Sequence, residues 1–327
     1  MTLTPALSPG GPNLSGPANG RGAGGEGYHF PMSHPSDLTD RFLLENLDIR
    51  GQVVRLGPLW RAVLSRREYP DAFRQLLGEF AAIAVLIGSG LKHPGRAVLQ
   101  VMGQGPVTLA VADCTQDLAL RAMLKINPKL PGPPGEARGG DPTIHDFFPT
   151  GRLVLTIENT QTGRHFQSIV PLEGATLAEC FERYFDRSEQ VPTHLWVHVT
   201  EGSVGALILQ KLPKADERDP SGWARVQQLA AQKAPLSLGR GDGGEGIDIA
   251  SLVTSLFPED DVRLFQPHPV KDGCGRSEEK VVAMLKGLGR TEVEAALAEQ
   301  GVMKVHDEIC NQEYRFTPAD VQRIFEG

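Results

Sequence analysis

Cysteine is scarce in this 327-residue chain: Cys114, Cys180, Cys274 and Cys310 are the whole supply. Four thiols in a chain of this length are too few for a disulfide scaffold, so structural disulfides are not expected. Aromatic residues are also few, at 6%, and the surplus of charge is acidic, with a net charge of -7. Lys and Arg are scattered rather than striped, which leaves no basic footprint for nucleic acid. Long apolar runs are missing too. The run from Ala81 to Ile87 falls far short of the roughly 18 to 20 residues that a membrane span needs, and it reads as the buried part of a helix. Membrane and nucleic acid are therefore not expected as partners. The catalytic vocabulary is equally thin. There is no GxSxG elbow, Gly88-Ser89-Gly90-Leu91-Lys92 is too short for a phosphate loop, and the nine histidines form no HExxH pair. The chain reads as a non-enzyme.

What is present is a soluble globular composition, 40% apolar and 22% charged, with length enough for two domains. Residues 1–36 hold eight Gly, six Pro and one basic residue, Arg21, without the apolar centre of a secretory signal. They read as a disordered tail on a cytoplasmic protein. Order is expected from Asp37. An alternating run, Gln52 to Leu56, predicts a strand, and apolar residues at helical spacing from Phe73 to Ile87, with Pro70 at the start, predict a long helix. Ala97 to Met102, Val107 to Val111 and Leu118 to Leu124 form a β-meander pattern. Pro128 to Pro142 is a Pro/Gly break across which strand patterns resume, at Arg152 to Ile157 and Phe166 to Val170. A helix from Thr176 to Asp186 and strands at Leu195 to Val199 and Gly205 to Gln210 complete an α+β domain over 37–212.

Residues 213–265 read as a helical linker region, with helices at Trp223 to Gln232 and Ile247 to Phe257. The remainder, 266–327, reads as a small C-terminal domain. It has helices at Arg276 to Leu288 and Thr291 to Gln300, the latter with Thr291 as N-cap, then a hairpin and a last helix from Pro318. Gly239-Arg240-Gly241-Asp242-Gly243-Gly244 satisfies GxGxxG, but a helix rather than a strand precedes it and no βαβ unit surrounds it. It reads as a flexible linker, and no nucleotide is expected. Cys114 and Cys180 read as buried, inert thiols, and Trp60, Trp196 and Trp223 as core or linker-packing residues. That leaves two cysteine-bearing turns, Asp272-Gly273-Cys274-Gly275-Arg276-Ser277 and His306-Asp307-Glu308-Ile309-Cys310-Asn311.

The phrases Arg50-Gly51, Tyr69-Pro70, Leu76-Leu77-Gly78-Glu79, Leu99-Gln100, Gly105-Pro106, Leu172-Glu173-Gly174 and, most specific, Tyr184-Phe185-Asp186-Arg187-Ser188-Glu189-Gln190-Val191-Pro192-Thr193 occur in order along the chain. Together they resemble the 33-kDa heat-shock protein family of redox-regulated chaperones. The resemblance implies an ATP-independent holdase that binds unfolding proteins, with a client-binding core, a metastable helical linker and a C-terminal zinc domain. It also implies a possible homodimer. In that family four thiolates hold zinc. Oxidation converts them to two disulfides, zinc leaves, and the small domain and linker unfold.

Carried over residue by residue, the family's CxC falls on Asp272-Gly273-Cys274 and its CxxC on Asp307-Glu308-Ile309-Cys310. Cys274 and Cys310 are retained, and two ligands have become aspartate. The family's bridges join neighbours within each motif. Here each motif has one thiol, so the remaining local bridge is Cys274 to Cys310, which would restrain the unfolded chain by about 4 kcal/mol. Oxidation would then rigidify the segment rather than melt it. Zinc remains open as a cofactor, through a mixed set of Cys274, Cys310, Asp272 and Asp307 or His306. The alternative is a segment that folds by its own packing around Val281, Leu285, Val293, Tyr314, Phe316 and Val321. Two functions stay in view: a holdase with altered redox gating, and a scaffold that kept the fold but lost regulated client binding.

Overall fold

The apolar spacing from Phe73 to Ile87 lies within an 18-residue helix, α2 (Asp71–Gly88), buried along most of its length. A shorter helix, α1 (Pro58–Leu64), precedes it. The sequence reading missed α1, because its cap comes from far away. The Asp37 carboxylate accepts the N–H groups of Gly57, at 2.6 Å, and of Leu59, at 3.1 Å. In the computed structural model the described residues are 13–14, 37–130, 132, 141–238, 249–275 and 277–326. The readings of a disordered tail over 1–36, apart from Asn13 and Leu14, and of a flexible Gly-rich segment over 239–244 lie outside them. The chain divides into two units, 1–271 and 272–327.

The first unit holds two antiparallel sheets. One has the order β1 (Asn13–Leu14), β11 (Val262–Leu264), β2 (Leu38–Leu44), β3 (Ile49–Leu56), β10 (Val204–Lys211), β9 (Thr193–Val199), with β12 (His268–Pro269) also paired to β2. The other contains β6 (Ala119–Ile126), β5 (Val107–Thr115), β4 (Gly95–Met102), β7 (Arg152–Asn159) and β8 (Arg164–Val170) in that order. The predicted meander is β4 to β6, and the sheet does continue beyond the Pro/Gly break, because β7 pairs with β4. The class is α+β. After β12 comes the short strand β13 (Lys271–Asp272), and at the end of the first unit the Lys271 N–H donates to Leu118 O at 2.8 Å.

α2 packs against both sheets, and the main core gathers there: Trp60, Phe73, Leu77 and Phe80 from the helices, Leu99 and Leu155 from the second sheet, Val54 and Ala206 from the first. Strand residues alternate sides, so the neighbours of Val54 and Ala206 point the other way. Val53 and Leu207, paired in register, belong with Ile49 and Leu209 to a second cluster on the opposite face of the first sheet. Helices α6 (Gly222–Leu238) and α7 (Ile249–Leu256) supply its other half. Burial on both faces accounts for the near-continuous apolar run in β10. Between these elements lie α3 (Ile144–Phe147), α4 (Leu177–Ser188) and α5 (Ala215–Arg218).

The second unit consists of α8 (Glu278–Leu288), α9 (Arg290–Gln300), the hairpin β14 (Met303–Asp307) and β15 (Gln312–Phe316), and α10 (Pro318–Glu326). Leu285, Val293, Tyr314, Phe316 and Val321 form its core. The Thr291 cap is corrected. Helix α9 begins at Arg290, and the N-cap is Gly289, at φ 94°, a positive φ that glycine adopts without strain. Arg290 then pairs with Glu294 at 2.7 Å, one turn on.

Candidate functional site

The hairpin β14–β15 brings the second cysteine turn, at its tip, beside the first. Cys274 and Cys310 form a disulfide with a Cα–Cα distance of 5.3 Å, across 36 residues of sequence, and both are buried. The expectation of no structural disulfide is thereby corrected. Counting cysteines addressed a scaffold of several bridges and not a single staple on a small unit. Each aspartate ties down its own turn. Asp272 Oδ1 accepts the Cys274 N–H at 2.9 Å, and Asp307 Oδ1 accepts those of Ile309 and Cys310, both at 3.0 Å. These are side-chain turns of the kind aspartate makes two or three residues ahead. Gln312 Nε2 donates to Cys274 O at 2.8 Å, and Tyr314 OH donates to Gln312 Oε1 at 3.0 Å, so the hairpin holds the first turn as well.

His306 stands apart from this arrangement. It is exposed on β14, opposite Glu313 in register. The set Cys274, Cys310, Asp272, Asp307 and His306 does not fit zinc in this form. Both sulfurs are spent in the S–S bond, and one oxygen of each carboxylate is engaged by backbone donors. Among the described residues no three His, Cys, Asp or Glu side chains gather as a metal set. Cys114 and Cys180 are buried free thiols, as their surroundings in the sequence suggested, and burial pushes both thiols up from the ordinary range. That keeps them in the unreactive protonated form.

A second constellation, in the first unit, escaped the sequence reading. The Asp260 side chain is wholly buried just before β11. Its Oδ2 accepts from Arg225 Nη1 of α6 at 3.0 Å, its Oδ1 accepts from Asn46 Nδ2 at 3.0 Å, and Arg225 Nη2 reaches Oδ1 too. The carboxylate in turn raises the pKa of the Arg225 guanidinium. At the other end of α6, Gly205 on β10 lies so close to the helix that a Cβ there would meet Leu238 Cβ at 2.8 Å. Trp223, on the first turn of α6, lies over His194, and His194 stacks on Trp196 at 5.6 Å between centroids. The His194 ring also meets Glu182 Oε1 at 3.2 Å. No local pattern joins residues 46, 225 and 260, so nothing in the sequence marks them as partners.

The family model described as Hsp33 protein matches residues 37–317. The chain belongs to the Hsp33 family. Among curated Hsp33-family relatives, the 33 kDa chaperonin of Methylobacillus flagellatus is 37% identical over 292 residues, covering 89% of this chain and 94% of that protein. The 33 kDa chaperonin of Nitrosococcus oceani is 35% identical over 289 residues, covering 88% and 94%. Among solved structures, the 33 kDa chaperonin of Thermotoga maritima superposes with a TM-score of 0.71 at 21% identity, over 89% of this chain and 98% of that one. At that identity the likeness shows a shared Hsp33 fold. Among the described residues no helix is long and apolar enough to cross a membrane.

Proposed function

We propose that this Hsp33-family chain is an ATP-independent holdase that binds unfolding proteins under stress, with altered redox gating and heat as its trigger, through apolar surface held covered at rest. The relatives' name, 33 kDa chaperonin, supports the chaperone reading. The observation that carries it is the second cluster. One face of the first sheet, with Ile49, Val53, Leu207 and Leu209, is buried under the two helices α6 and α7. Removing those helices would expose a contiguous apolar sheet face, the kind of surface that marks a protein-binding site.

In this reading residues 37–212 form the client-binding core, 213–265 form the lid, and 266–327 form a switch-like domain of altered logic. In a four-thiol unit zinc holds the resting fold and oxidation releases it. Here one bridge between Cys274 and Cys310 closes the unit, so oxidation stabilises it, and heat acting on the lid becomes the trigger. The deciding experiment is light scattering of a heat-unfolding client, without ATP, at stoichiometric chain, with and without hypochlorous acid. Suppression that rises with temperature and not with oxidant supports the reading. No suppression under either stress would leave a scaffold protein on a chaperone fold.

A further inference from the structure

Strand β8 ends the second sheet and pairs with β7 alone among the described strands. Half of its backbone N–H and C=O groups therefore face outward from the sheet. Soluble proteins blunt such edges with proline, charge or a bulge, but Arg164–Val170 contains no Pro, carries a single full charge, Arg164, at its first position, and pairs with β7 without a break in register. Phe166 and Ile169, on opposite faces, are 49% and 58% exposed. Over one face of β7 and β8 lies a groove of about 280 Å³ whose apolar lining includes Leu91, Leu155, Ile157, Phe166 and Tyr184.

The amino end of the strand is basic. Arg164 and His165 are exposed there, and Lys92 and His93 are exposed at the same groove. The acidic groups lining it are engaged: Glu158 binds Arg96 at 2.6 Å, and Glu189 accepts from Tyr184 OH at 3.4 Å.

We propose that β8 is a docking edge for an extended segment of an unfolding protein. The segment adds antiparallel to β8, continuing the antiparallel order of the sheet, with an apolar side chain in the groove by Phe166 and a carboxylate near its own carboxyl end against the basic residues. Pairing through the backbone reads little sequence, so any chain that has lost its fold offers the complementary row of donors and acceptors. This assignment rests on the holdase reading and adds to it a contact that is available before the lid opens.

The test uses the full-length chain and two readouts. The probe is a labelled ten-residue peptide of alternating Val and Thr ending in two Asp, with hydrogen exchange read at β8 and anisotropy read for affinity. Protection of β8 amides is expected, with affinity about tenfold weaker in Ile169→Lys. Ile169 is solvent-exposed, so the variant keeps the melting temperature, and Phe166→Lys gives the same loss by a separate side chain. Unchanged β8 exchange in a chain that does suppress client aggregation would overturn the edge alone. Failure to suppress aggregation under any stress would overturn the holdase reading and, with it, the purpose of the edge.

Discussion

Arg225 and Asp260, 35 residues apart in sequence, meet in a two-pronged ion pair whose carboxylate is wholly buried. Asn46 completes it from the turn between β2 and β3. The pair clasps the first covering helix to the edge of the sheet it covers. Asp260→Ala leaves Arg225 and Asn46 without their acceptor, and because the Arg225 side chain is one-third exposed and can turn to water, the cost is about 1 to 3 kcal/mol. The expected result is faster hydrogen exchange in α6, stronger binding of an apolar dye, and client suppression at a lower temperature. Unchanged exchange in α6 would show that the clasp does not hold the lid.

Gly205→Ala tests the other end of the same helix. The added methyl would overlap Leu238, and α6 must shift at a cost of about 1 to 3 kcal/mol. The lid is expected to open without loss of the main core, which lies on the other side of the first sheet. Thermal unfolding followed at Trp223 and in far-ultraviolet dichroism should separate into two steps.

Reduction should loosen the second unit. Cutting the Cys274–Cys310 bridge removes about 4 kcal/mol of restraint on the unfolded chain. Denaturant titration read at β14–β15 amides is expected to give a lower midpoint with dithiothreitol, and Cys274→Ser should match the reduced protein. Thiol titration of the native oxidised chain should find Cys114 and Cys180 silent until unfolding. Dye binding that rises on oxidation would reverse the proposed logic.

Glu79 gives a dependence on pH. It is buried in α2, accepts the Leu177 N–H at the start of α4 at 3.0 Å, and burial pushes its carboxyl up from the ordinary value. A raised folded value means that the native state binds more protons than the unfolded state. Stability from this group is therefore full below the unfolded value and is lost as pH rises through the folded one. Glu79→Gln keeps an acceptor for Leu177 and removes the titration. The stability of the wild type relative to this variant should fall with rising pH across that window, by at most about 1.4 kcal/mol per unit. A pH-independent difference would remove Glu79 as the cause.

Much of the fold was legible in short-range pattern. The spacing of Phe73, Leu77, Phe80 and Ile87 announced α2, and the strands β3 to β10 emerged from alternation and turn residues. The helix α1 did not, because its N-terminal donors are satisfied by Asp37, some twenty residues away. The start of α4 could be read in Thr176, but its second support, Glu79, could not. At the cysteine turns the sequence named both thiols and both aspartates. It left open whether the aspartates bind metal or merely lie in a segment that folds by its own packing, and their bonds to the backbone of their own turns emerged only with the structure.

The sequence alone determined the family, the alternation that places apolar side chains in register, and the loss of two thiols, because these are properties of local order along the chain. Only the tertiary structure decided that one sheet is buried on both faces, that Asp260 finds Arg225 and Asn46, that Cys274 lies within bonding reach of Cys310, and that β8 is left at an edge among the described strands. Each of those joins residues distant in sequence. Their energies depend on closure of the whole chain, which no window of neighbouring residues contains.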